Sequence, residues 1–73
     1  MSPHLPSLKP KEVVRILLNI GFVFHRQKGS HGIYIKDSLM VVVPQHNRDM
    51  KKGTLNNIIK GTNLTVEEFL SFR

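Results

Sequence analysis

The chain has 73 residues, 40% of them hydrophobic and 22% charged, which is room for one folded domain with one small core and excludes both a second domain and a disordered tail. It has no cysteine, so disulfides, zinc-finger frameworks and thiol nucleophiles are excluded and nothing calls for an oxidising compartment. Its formal net charge is +6, and the charge is placed unevenly: between residues 22 and 60, Arg26, Lys28, Lys36, Arg48, Lys51, Lys52 and Lys60 stand against only Asp37 and Asp49, a local excess of +5.

Such an excess suits a polyanion, because Lys and Arg that neutralise phosphates release counterions, although a solvated basic surface has the same composition. No apolar run approaches the roughly 18 to 20 residues of a membrane span, and the N-terminus lacks the regions of a signal peptide. A soluble protein of the cytoplasm is therefore expected.

Residues 1 to 8 hold Pro3 and Pro6 without periodicity and read as a flexible N-terminal arm, with His4 in it assigned no role. Residues 9 to 73 read as a single domain. From Pro10, the positions Val13, Val14, Leu17, Leu18 and Ile20 recur at helical spacing. Pro10 fits the first helical position, Gly21 fits the left-handed stop, and Lys9 is a poor cap.

Phe22 to Gln27 reads at period two, with Phe22 and Phe24 on one face and Val23, His25 and Gln27 on the other. Lys28-Gly29-Ser30 supplies a turn, His31 to Lys36 alternates again, and Asp37-Ser38 offers a tighter reversal. Leu39 to Val43 is apolar throughout and ends at Pro44. Three strands on short connections form an antiparallel meander whose apolar face needs a helical cover.

A second helix is expected from near Lys52 to Thr54 as far as Lys60 or Thr62, with Gly61 and Asn63 as rival stops. Thr65-Val66-Glu67-Glu68 has the capping-box pattern and opens a short last helix containing Val66, Phe69 and Leu70. The expected fold is α+β, in the order α-β-β-β-α, with helices on one face of a three-stranded antiparallel sheet.

His31 is the densest chemical candidate, since it starts a strand beside a glycine turn with Arg26, Lys28 and Lys36 nearby. Imidazole titrates near neutral pH, and as a base it can take the proton of an RNA 2′-hydroxyl that attacks the adjacent phosphorus. An ordinary strand histidine is the competing reading. His46, in the loop after Pro44, is a second catalytic candidate and would serve as the acid that protonates the leaving 5′-oxygen. His25 reads as surface or as a phosphate contact. Expected RNA contacts are Arg26, Lys28, Gly29, Ser30, Lys36, Arg48, Lys51 and Lys52, while Gly53-Thr54 could present helix N–H groups to a phosphate. The histidine spacings match no short ligand motif, so no metal and no cofactor are expected.

In order, Ile20-Gly21-Phe22, Lys28-Gly29-Ser30-His31 with Tyr34, Val41-Val42-Val43-Pro44 with His46, Lys52-Gly53-Thr54-Leu55 with Ile58, and Leu64-Thr65-Val66-Glu67-Glu68-Phe69 resemble the HicA toxins. These are messenger-RNA interferases of toxin–antitoxin pairs. The resemblance implies a fold like the double-stranded-RNA-binding domain. It also implies a metal-independent endoribonuclease acting on mRNA with His31 as catalytic residue, and an acidic, HicB-like antitoxin that masks the active face. The free toxin is expected to be a monomer. A non-catalytic RNA-binding module using the same basic face is the alternative. The chain departs from the resemblance at Asp37-Ser38, where many members have a longer Asp-Gly turn, and at Asn63, where glycine is common.

Overall fold

A computed structural model describes residues 5 to 73. The order is α1 (Pro10–Ile20), β1 (Val23–Lys28), β2 (His31–Lys36), β3 (Leu39–Pro44), α2 (Lys52–Gly61) and α3 (Val66–Leu70). The strands form an antiparallel sheet in the order β1-β2-β3, as the meander requires. The fold is the expected α+β type.

Local chemistry sets the element ends. At the start of α1, the Lys9 N–H donates to the Glu12 carboxylate at 3.0 Å, the one half of a capping box that does not need an acceptor on the lysine side chain. Gly21 ends the helix at φ 122°, and the Phe22 N–H donates to the Leu17 carbonyl at 2.9 Å. The capping box of α3 forms in both directions, with Thr65 N–H on Glu68 at 2.8 Å and Glu68 N–H on Thr65 Oγ1 at 3.1 Å.

Between the rival stops of α2, Asn63 takes the left-handed conformation at φ 63°, and Gly61 remains helical. Gly61 has a different task. A Cβ built there would lie 2.7 Å from Val41 Cγ1, so the glycine allows α2 to approach β3 this closely.

One face of the sheet is covered by the helices. Tyr34, Val41 and Val43 from that face join Val13, Ile16 and Leu17 of α1, Leu55, Ile58 and Ile59 of α2, and Phe69 of α3 in one core. The stripe of α1 differs from the expected one, since Ile16 is buried and Leu18 is half exposed. At about 100° per residue, positions 13, 16, 17 and 20 form the continuous face, and Leu18 points away from it.

Leu8, read from the sequence as part of a loose arm, is fully buried. Its carbonyl accepts from the Met50 N–H at 2.8 Å, and the Leu5 carbonyl accepts from the Lys52 ammonium. Residues 5 to 8 therefore close the core beside α2; the rest of the expected arm, including His4, lies outside the described residues.

Candidate functional site

The uncovered face of the sheet carries the site. Period-two alternation from the pairing of β2 with β3 puts His31, Ile33 and Ile35 on this face, with Pro44, Val42 and Met40 opposite them. Val23, Met40 and Val42 are 61%, 59% and 41% exposed, so the face is an apolar surface without a helical cover. The unbroken apolar run of β3 is its sequence signal, because a strand apolar at every position has apolar groups on both faces.

Arg26 and Lys28 join His31 because β1 is bulged. Phe24 pairs with Tyr34 and Arg26 with Ile33, so His25 is an extra residue with no partner of its own. Unbroken alternation would put Arg26 and Lys28 on the helix-covered side with Phe24. The bulge shifts the phase by one, and Lys28 lies directly across from His31 while Arg26 lies across from Ile33. This corrects the regular alternation expected for β1. Phe24 stays on the other side, its ring edge-on to Tyr34 with centroids 5.6 Å apart.

His31 is exposed and stands where two concavities meet. One, of about 430 Å³, lies on the open face between Arg26, Lys28, Ile33, Met40 and Val42. The other, of about 440 Å³, runs between β3 and α2 and includes Pro44, Thr54 and Asn57. Asn57 was missed from the sequence. Its signal is the spacing 54, 57, 58 and 61, one side of α2.

The turn before His31 is held firmly. Gly29 has φ 59° and Ser30 does not share the positive φ, so the left-handed residue is the first of the two central ones, where glycine is preferred. The Ser30 carbonyl accepts from the Gln45 N–H at 2.8 Å, and Gln27 Nε2 donates to the Gly29 carbonyl at 3.1 Å and to Gln45 Oε1 at 2.8 Å. These bonds tie the hairpin end to the chain leaving β3. Gly32, next to His31 in the chain, lies on the other side of the sheet, where a Cβ would meet Tyr34 Cε1 at 3.2 Å and Gln45 Nε2 at 3.4 Å.

The remaining expected residues are divided among three other places. His46 lines concavities without His31, one with Tyr34 and Val43, the other with Arg48, Lys51 and Thr54. Its Nδ1 accepts from the Arg48 N–H at 3.1 Å. Lys52 is engaged with Leu5. Lys36 ends β2, roughly 17 Å from His31 at the rise of a strand. Its side chain instead runs beside Gly21, the cap of α1, with Cε, Cδ and Nζ all within 4 Å of that glycine's Cβ position. Among the described residues, no three His, Asp or Glu side chains come together as a metal site.

Fold and site together define a small α+β domain with a histidine and two cations on an open sheet face. Residues 10 to 64 match the family model described as the HicA toxin of bacterial toxin–antitoxin, and the chain belongs to that family. Its role is that of the toxin of such a pair, with a cognate antitoxin as partner. No curated protein matches the chain. No helix among the described residues is long and apolar enough to cross a membrane.

Proposed function

We propose that the chain is a metal-independent endoribonuclease that cleaves mRNA, with His31 as its base. The observation that carries this is the placement of Arg26 and Lys28 on His31's face by the bulge, in a family of toxins. The two cations hold the phosphate on either side of the cleaved bond. His31 takes the proton of the 2′-hydroxyl, the 2′-oxygen bonds to the adjacent phosphorus, and the bond from phosphorus to the 5′-oxygen breaks. The leaving oxygen takes a proton from water. The products are a 2′,3′-cyclic phosphate and a 5′-hydroxyl end. His46, facing other concavities, is not assigned the acid.

The partner that fits this face is an acidic, HicB-like antitoxin with apolar groups of its own. Val23, Met40 and Val42 would meet the apolar groups while Arg26 and Lys28 meet the carboxylates, and His31 would be hidden.

The test compares the protein with His31→Ala on the same RNA in excess chelator. Cleavage by the parent and a loss of about 100-fold or more in the variant are expected. Equal cleavage by both, or cleavage abolished by the chelator, refutes the assignment. RNA bound but left intact by the parent identifies a non-catalytic binding module instead.

A further inference from the structure

The cavity that His46 shares with Tyr34 and Val43 lies on the helix-covered side, between the start of α1 and strands β2 and β3, with a volume of about 550 Å³. That is within the range of small-ligand sites, which combine apolar walls with a few fixed polar groups. Its walls are Val14, Val43 and the largely buried Tyr34. Behind these walls, a Cβ at Gly32 would lie 3.2 Å from Tyr34 Cε1 and 3.4 Å from Gln45 Nε2.

Gln45, His46 and Asn47 supply the polar side. Two of the three are already oriented. Gln45 Oε1 accepts from Gln27, which leaves the Gln45 NH₂ as donor, and the neutral His46 ring, with Nδ1 accepting from Arg48, carries its hydrogen on Nε2. Asn47 offers both a donor and an acceptor. Lys11, exposed in α1, adds a cation at the rim.

A flat group with hydrogen-bonding edges and an anionic tail matches this set. We infer that the cavity is a nucleotide subsite, with the base between the apolar walls against Gln45, His46 and Asn47, and the phosphate at Lys11. This rests on the ribonuclease reading for its substrate. The two sites are connected around the end of β3. His46 also lines the concavity holding Arg48 and Lys51, whose Pro44 and Thr54 belong in turn to the groove of His31. A strand cut at His31 that follows these concavities places the base of a nucleotide further along it in this cavity, which selects the sequence that is cut.

The experiment titrates uridine 5′-monophosphate into the ¹⁵N-labelled protein, with ribose 5-phosphate as the control, and follows amide shifts. Saturable shifts at Val14, Gln45 and Asn47 with the nucleotide, at least fivefold weaker with the sugar phosphate, are expected. Val14→Phe, which fills the cavity, should weaken nucleotide binding at least fivefold, and Asn47→Ala provides the same measurement if that variant does not fold. Equal shifts with both ligands, shifts confined to Arg26, Lys28 and His31, or unchanged binding in the variant overturn the subsite. On RNA, Val14→Phe should redistribute the cut positions, and an unchanged distribution also overturns it. If the parent cuts no RNA, the ribonuclease reading fails while the titration still decides whether the cavity takes a nucleotide.

Discussion

Two glycines of α2 should respond to alanine with opposite signs. At Gly61 a Cβ would sit 2.7 Å from Val41 Cγ1, a distance that real Cβ contacts do not show, so something must shift. Val41 is buried in the sheet and stiff at χ1, and cannot swing aside as a long side chain would. Overpacking of this kind costs about 1 to 3 kcal/mol, against a helix-propensity gain of about 0.5 to 1 kcal/mol for replacing glycine. Gly61→Ala should therefore destabilise by up to about 2.5 kcal/mol, about 1 kcal/mol at mid-range. Gly53, in the first turn of the same helix, has nothing within 4 Å of its Cβ position and no positive φ. Gly53→Ala keeps the gain alone, up to about 1 kcal/mol. Urea melts should show the two midpoints moving apart around the parent, with thermal midpoints following by about 4 to 8 °C per kcal/mol. A Gly61→Ala protein as stable as Gly53→Ala would refute the close approach of α2 to β3.

Lys28→Gln should lower the slope of log affinity against log salt for single-stranded RNA by about 0.7, one phosphate contact, whereas Lys36→Gln, at the far end of β2, should leave it unchanged. Filter binding at several salt concentrations reads this, and equal changes in both would refute the division of charge. Asp37 has φ 52° in the turn between β2 and β3, a region costly for residues with a Cβ, so Asp37→Gly should stabilise by about 0.5 to 1 kcal/mol in the same melts. Deleting His25 should regularise β1 and keep Arg26 and Lys28 across from Ile33 and His31, so RNA cleavage should persist within a few-fold; a folded deletion variant without cleavage would give His25 a direct role.

The open face shows why sequence alone divided its residues incorrectly. Regular alternation of β1 put Arg26 and Lys28 with Phe24, and no residue type announces a bulge at His25; the pairing with β2 decides it. Lys36 and Lys52 looked like RNA contacts because both belong to the basic excess between residues 22 and 60, and the fold turns one toward Gly21 and the other toward Leu5. His31 and His46 line different concavities for a similar reason: one starts β2 on the open face, and the other lies in the loop after β3, whose course no local spacing sets.

By itself the sequence determined what depends on near neighbours: the helix periods, the strand alternation of β2, the unbroken apolar run of β3, the Gly29 turn, the Thr65 capping box and the basic excess between residues 22 and 60. These are set by local propensity and spacing. Only the tertiary structure decided which cations share a face with His31, that Gly61 admits Val41 while Asn63 supplies the left-handed stop, that Leu8 belongs to the core, and that Gly32 lies against Tyr34 and Gln45. Each of those depends on which chain segment lies across from which, and residue spacing along one strand or helix does not contain that information.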